Sequence, residues 1–391
     1  MDAAANTTAG QFELTDDQRA IREMTDGFAR DRVAPYALDW DKNRYFPANV
    51  IRETGPLGLG GIYIGEDAGG SGLGRLDAVL IFEALAKACP GFSSFISIHN
   101  MAAWMIDSFG SQQQRQRFLP KLTSMEWLAS YCLTEPGSGS DAAALKTRAV
   151  RGAGNGGDYV VNGAKQFISG AGDSDVYVTM VRTGEEGPKG ISTLVIPKDA
   201  PGLSFGAMEH KMGWHMQATR QVNFTDCRVP VENRLSNEGE GFRIAMAGLD
   251  GGRLNIAACS LGGAQSAFDK ALAYSTEREA FGKPINQFQA LQFKLADMET
   301  GLQAARQLLY TAAAKLDSSA HDAAKWSAMA KRFVTDTCFE VANEALQIHG
   351  GYGYLHEYGV EKLVRDLRVH QILEGTNEIM RVIIARHLTG R

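Results

Sequence analysis

Glu374 lies in the run Val369-His370-Gln371-Ile372-Leu373-Glu374-Gly375-Thr376-Asn377-Glu378, a lone carboxylate between apolar residues and a small turn. An apolar surround penalises the charged form and raises a carboxyl pKa, which suits a base that takes a proton at neutral pH. Gly375 removes the neighbouring side chain, so a ligand can approach the backbone closely. A Glu at this place also serves to end or cap a helix, and taken alone that is the commoner explanation.

Three runs upstream change the balance. Tyr131-Cys132-Leu133-Thr134-Glu135-Pro136-Gly137-Ser138-Gly139-Ser140-Asp141 comes first, then Arg278-Glu279-Ala280-Phe281-Gly282, then Gln347-Ile348-His349-Gly350-Gly351-Tyr352-Gly353. With Ile372-Leu373-Glu374-Gly375-Thr376, and in this order, they resemble the motifs of the acyl-CoA dehydrogenase family over nearly the whole chain. The resemblance implies an N-terminal α-helical domain over 11–130, a middle antiparallel β-domain over 131–235 and a C-terminal helical bundle over 236–391.

It also implies α,β-dehydrogenation of an acyl-CoA thioester with FAD as cofactor. Glu374 would take the α-proton while the β-hydrogen leaves as hydride. The thioester oxygen would be held by the Glu374 N–H and a ribityl hydroxyl, as in an oxyanion hole. Some relatives carry the base on a central helix just before an arginine; here that position is Gly252, before Arg253, and glycine has no carboxylate. Asp250 and Arg253 match the substrate-contacting Asp-x-x-Arg, for which a surface salt bridge is the ordinary alternative. Ser140, Gly375 and Arg386 complete the substrate positions that the resemblance carries over.

On the cofactor side, Tyr131, Leu133, Thr134, Gly139 and Ser140 match flavin positions, as do Phe167, Ile168 and Ser169. Several relatives have Trp in place of Phe167, and Phe keeps an aromatic face for stacking. Arg278 and Phe281, with Gln347, Gly350 and Gly351, match positions that reach the FAD of a neighbouring subunit, and Phe288 and Gln289 match further cofactor positions. Arg suits a diphosphate because its planar fork makes two charge-assisted bonds. Thr376 and Asn377 match contacts to the pyrophosphate and adenosine, and Glu378 is carried over as a further cofactor position. A shared cofactor implies a homo-oligomer, expected as a tetramer of two dimers, and an electron-transfer flavoprotein as electron acceptor. The expected substrate is a short branched thioester, isobutyryl-CoA, in valine breakdown. Short straight-chain and 2-methyl-branched thioesters stay open, because Asp250 stands where Asn is expected. Phe95, Ile98 and Met101 are bulky enough to shorten the acyl cavity, although helical core packing is the commoner explanation for them. An oxygen-using relative with the same base, or a non-catalytic acyl-CoA binder on the same fold, are the competing readings.

Composition agrees. The chain has 391 residues, 44% of them hydrophobic, enough for more than one domain. Net charge is −5 with no basic block, which argues against nucleic acid as a partner. No apolar run approaches the length of a membrane span. Cys89, Cys132, Cys227, Cys259 and Cys338 are odd in number and never in C-x-x-C spacing, so neither a disulfide framework nor a zinc site is expected. Gly137-Ser138-Gly139-Ser140 lacks the third glycine and the following helix of a dinucleotide fingerprint. The first fourteen residues are small and polar, without a signal core or Arg-rich transit pattern, and are expected to be a disordered lead-in. A bacterial cytoplasm is the expected compartment, with the mitochondrial matrix as the alternative.

The elements that must position these residues follow from periodicity. Thr15-Asp16-Asp17-Gln18 is a capping box, Pro35 stops the first helical segment, and Ser111-Gln112-Gln113-Gln114 starts another. Runs at 176–181, 191–196 and 222–225 read as strands. Asn162-Gly163 reads as a hairpin dipeptide after 158–161. Ala- and Leu-rich helical segments then occupy 241–276, 286–316 and 322–348.

Overall fold

The structure, a computed structural model, describes residues 14–152 and 157–390. The lead-in expected at the N-terminus therefore falls, except for Leu14, outside the described residues. Helix α1 (Asp16–Phe28) begins at the Thr15 capping box, in which Thr15 and Gln18 satisfy each other's backbone N–H. It runs through one π-helical turn before Pro35. Two short helices follow, α2 (Ala37–Asn43) and α3 (Ala48–Arg52). Then come α4 (Arg75–Ala88), α5 (Pro90–Phe109) and α6 (Gln112–Thr123), the last starting at the Ser111 capping box.

The chain then switches to strands: β1 (Ala129–Cys132), β2 (Arg148–Arg151), β3 (Tyr159–Ser169), β4 (Val176–Arg182), β5 (Ile191–Pro197), β6 (Leu203–Met208), β7 (Thr219–Val229) and β8 (Arg234–Leu235). They form one sheet in the order β6-β7-β3-β2-β4-β5-β8, with β1 added beside β4. The long pairings are antiparallel, as expected; β1 lies parallel to β4, with Tyr131 opposite Val178. One local expectation fails. Asn162-Gly163 does not turn a hairpin but lies inside β3, where the register against β7 shifts between Val161 and Gly163. Gly163 has φ +143° and a Cβ there would stand 2.6 Å from Thr147 Oγ1. The glycine answers a bulge and a close crossing, a tertiary demand that leaves the same dipeptide signature as a turn.

The remainder is helical: α7 (Gly241–Glu277), α8 (Gln289–Asp317), α9 (Ala323–His349), α10 (Val360–Arg368) and α11 (Asn377–Thr389). A small hairpin, β9 (Glu279–Ala280) and β10 (Lys283–Pro284), links α7 to α8. One apolar cluster joins both ends of the chain, running from Ala29 and Val33 through Phe82, Phe92 and Leu254 to Leu309, Val334 and Leu367. The sheet has its own core around Tyr159, Tyr177, Phe224 and Cys227. All five cysteines are buried and free. Among the described residues no helix is long and apolar enough to cross a membrane.

Candidate active site

Glu374 sits in the short connection between α10 and α11, where two successive residues are left-handed: Glu374 at φ +57° and Gly375 at φ +89°. For a non-glycine residue that conformation costs on the order of 1 kcal/mol or more, so its surroundings must hold it. Thr376 then caps α11, its hydroxyl accepting from the Ile379 N–H. The turn aims the Glu374 carboxyl inward. Its Oε2 is buried and, among the described residues, has no hydrogen-bond partner. Burial pushes the carboxyl up to about 7, against the opposing charges of Arg253 and Lys331. The Glu374 N–H donates to no acceptor among the described residues, so it remains available.

Helix α7 forms the opposite wall. A Cβ on Gly252 would stand 2.6 Å from Glu374 Oε2 and 3.1 Å from Met101 Sδ. The position that bears a base in some relatives therefore faces the same space that Glu374 fills here, and a side chain at both would collide. The next residue, Arg253, is buried, donates to Asp250 Oδ1 at 2.5 Å, and approaches the Glu374 carbonyl at 3.4 Å. Burial raises the Asp250 carboxyl even against that arginine. The pair is thus a partly desolvated one beside Glu374 rather than a surface salt bridge. Of the three bulky α5 residues, Met101 is the one placed beside Gly252, on the side that Glu374 also faces. Phe95 packs edge-on to Phe46 and Ile98 is half-buried.

From the sheet side, Tyr131 brings a buried hydroxyl that has no partner among the described residues. Burial raises its pKa, and the Glu374 charge raises it further. The Thr134 carbonyl accepts from the Gln166 N–H at 2.8 Å, which ties the end of β1 to the Phe167-Ile168-Ser169 segment. Phe167 is itself left-handed, at φ +60°, and 64% exposed. Ile168 is buried and Ser169 donates to Gln217. Gly137 and Gly139 face open space beside a cleft of about 240 Å³ lined by Glu135, Ser138 and Thr147. Exposed Phe167, the open Gly137–Ser140 turn and the half-buried Thr134 suit a planar, hydrogen-bonding ring system, so this ledge fits a flavin.

The second group of residues lies elsewhere. Arg278 caps the far end of α7, 25 residues beyond Arg253, or roughly 38 Å along the helix. There Arg278, Gly350, Gly351 and Tyr352 line a cleft of about 380 Å³. Phe281, 96% exposed, meets Phe288 edge-on, and Gln289 and Gln347 are exposed nearby in sequence to these elements. Arg386 stands exposed on α11, roughly 14 Å along that helix from Asn377. Glu378 is exposed in its first turn, whereas the Asn377 side chain is buried against Lys331, Thr335 and Asp336.

Three successive stretches of the sequence match the N-terminal (15–126), middle (130–227) and C-terminal (239–389) domains of acyl-CoA dehydrogenases. The chain belongs to the acyl-CoA dehydrogenase family. It is 55% identical to a mitochondrial isobutyryl-CoA dehydrogenase of Dictyostelium discoideum, over 96% of this chain and 90% of that protein. It is 52% identical to the Bos taurus enzyme of the same name, over 96% and 89%. Among solved structures, butyryl-CoA dehydrogenase from Megasphaera elsdenii matches with a TM-score of 0.94 at 38% identity, over 97% of this chain and 100% of that one. An FAD complex of PigA matches at 0.93 and 29% identity, over 97% and 99%.

Lys331 was not among the residues singled out from the sequence. It is fully buried on α9 and donates from Nζ to the Gly375 carbonyl and to Asn377 Oδ1, both at 2.8 Å. Its signal was there to read: Ala328, Lys331, Thr335 and Cys338 recur at helical spacing, which puts one lysine on the apolar stripe. Asn255 was also missed. It lies one turn beyond Gly252, buried, and donates to the Tyr63 hydroxyl at 2.7 Å.

Proposed function

We propose that this chain oxidises a short, branched acyl-CoA, with isobutyryl-CoA going to methacrylyl-CoA, and that Glu374 removes the α-proton. The observation that carries the reading is the Glu374 carboxyl: buried, unpartnered at Oε2, raised to about 7 and facing the space left by Gly252. A carboxyl poised there is ionised in a useful fraction at neutral pH and is still basic enough to hold a proton. The Glu374 N–H donates to the thioester oxygen as negative charge develops on it. The Asp250–Arg253 pair fixes the α7 side of the cavity, and Met101 closes it around a short acyl group.

FAD, held on the ledge formed by Tyr131, Leu133, Thr134, Gly139, Ser140 and Phe167–Ser169, supplies the acceptor for the β-hydrogen and its electron pair. The roughly 38 Å between Arg253 and Arg278 is longer than one dinucleotide. This supports Arg278, Phe281, Gln347, Gly350 and Gly351 serving the cofactor of a second subunit, hence an oligomer, with a homotetramer as the assembly we propose. Thr376 and the backbone of Asn377 would meet the chain's own cofactor; the Asn377 side chain is committed inward. An electron-transfer flavoprotein is the proposed acceptor. The branched substrate is supported by the 52–55% identity to the two isobutyryl-CoA dehydrogenases.

The test is an anaerobic titration of the purified protein with isobutyryl-CoA, followed by the visible absorption of the flavin. Rapid bleaching supports cofactor, substrate class and redox chemistry together. Bleaching only by butyryl- or 2-methylbutyryl-CoA would move the substrate assignment, and a colourless protein would overturn the reading.

A further inference from the structure

Three lysines among the described residues are buried almost completely: Lys165, Lys331 and Lys362. Two are answered by a carboxylate in direct contact, Lys165 by Glu135 at 2.8 Å and Lys362 by Asp366 at 2.6 Å. Lys331 has no such ion pair among the described residues. Its two acceptors are neutral: the Gly375 carbonyl in the turn that carries Glu374, and Asn377 Oδ1 at the first residue of α11. Burying an ammonium without a contacting carboxylate is costly, so the placement needs another return.

That return is visible in the loop. Glu374 and Gly375 are held left-handed one after the other, and the Gly375 carbonyl that this conformation turns toward α9 is the one Lys331 takes. Asn377, also gripped by Lys331, is further tied to Asp336 at 2.7 Å and Thr335 at 3.0 Å. The anchor thus spans both sides of Thr376, the cap of α11. We propose that Lys331 is a positioning residue for the base, holding the Glu374–Gly375 turn in its left-handed form and supplying the counter-charge to the carboxylate when it is ionised. This rests on Glu374 being the base.

The electrostatic setting is bounded by named groups. Arg253 from α7 and Lys331 from α9 favour the ionised carboxylate, while Tyr131 from β1 and Cys259 from α7 are buried groups whose own ionisation Glu374 disfavours. Lys331 in turn feels Glu374, Asp336 and Glu378 as opposite charges and Arg253 as a like one. His370, buried beside Trp214 and bonded to Ser260, is held neutral and adds no charge. Burial lowers Lys331 to about 7 and raises Glu374 to about 7, so the two exchange influence within one pH range and titrate as a pair.

The test compares Lys331→Met, which removes charge and donors, with Lys331→Arg, which keeps both. For Lys331→Met, kcat with isobutyryl-CoA at pH 7 should fall about tenfold. The acid limb of kcat/KM should move to higher pH by about one unit, since a favourable charge is lost. Lys331→Arg should bring the limb back toward wild type. A readout free of turnover is amide hydrogen exchange across 372–379, which should quicken about tenfold or more in Lys331→Met. An unmoved limb with unchanged exchange would overturn the proposal, even if kcat fell. Should Lys331→Met fail to fold, Lys331→Gln is read by the same two measurements. If no short acyl-CoA reduces the wild-type flavin, the reading of Glu374 as base fails with it. The exchange measurement then still decides whether Lys331 holds the turn.

Discussion

Replacing Gly252 by Ala adds one carbon on the side where the Glu374 carboxyl faces α7. The new Cβ would lie 2.6 Å from Oε2, 3.0 Å from Cδ and 3.1 Å from Met101 Sδ. Ordinary contact requires the carboxyl to withdraw by roughly 0.5–1 Å. The end of a side chain can swing that far at little cost to the fold, and Ala in place of Gly inside α7 favours the helix by about 1 kcal/mol. Thermal stability should therefore be unchanged or slightly higher. Chemistry should respond differently, because a displacement of about 1 Å at a reacting group costs up to about 100-fold in rate. We expect kcat with isobutyryl-CoA to fall between about 10- and 100-fold, with acyl-CoA binding and flavin content retained. The assay is single-turnover flavin reduction in a stopped-flow instrument, paired with a melting curve. A rate within threefold of wild type, in a folded protein with full flavin, would refute the placement of Glu374 against α7.

Glu374→Gln should bind acyl-CoA and keep its fold but lose about 10²–10⁴ of its turnover, since the amide cannot take the proton. The same variant tests the cost of burial. The folded carboxyl titrates at about 7 against 4.5 in the open chain. Ionising it therefore costs nothing below the lower value, progressively more between the two, and a constant amount above the upper one. That amount is on the order of 3 kcal/mol. Glu374→Gln should melt higher than wild type at pH 8 and lose that advantage by pH 4.5, and a constant difference would count against the shift. Arg253→Gln removes the larger of the two opposing charges and should move the acid limb of kcat/KM upward; a limb that stays put would show that Arg253 is not electrostatically coupled to the base. Arg278→Ala should lower flavin content and shift the assembly to smaller species by light scattering, and unchanged values for both would remove Arg278 from the cofactor contacts.

What was legible beforehand was local. The capping box at Thr15 and the helix start at Ser111 are each read in four residues and are found as read, because a cap satisfies backbone groups within its own turn. The long helices α7, α8 and α9 follow from a period sustained over many residues. The Glu374 segment could be read as a base only through its resemblance, since nothing in Glu-Gly-Thr states that Glu374 itself, and not only Gly375, is left-handed. Asn162-Gly163 misled because a bulge and a hairpin use the same dipeptide, and only the crossing of Thr147 decides between them. Lys331 was passed over because a lysine in a helix is ordinarily solvated. Its burial depends on a loop 44 residues further on, which no local pattern announces.

The apolar cluster that runs from Ala29 to Leu367 passes through α4, α5, α7 and α9 without a break, while the sheet keeps a separate core around Tyr159 and Phe224. In chain order the protein is a row of three pieces; in its packing it is one helical body interrupted by an inserted sheet. Change should then be inherited unequally across the molecule. Only the layer around Tyr159 and Phe224 can drift on its own, because the strand residues Val176, Val178, Met180 and Val195 share a second core with Met105, Phe118 and Ile244 of the helices. The first and last thirds are bound to change together, because the buried face of α4 shares its core with α7, the helix that carries the wall facing Glu374.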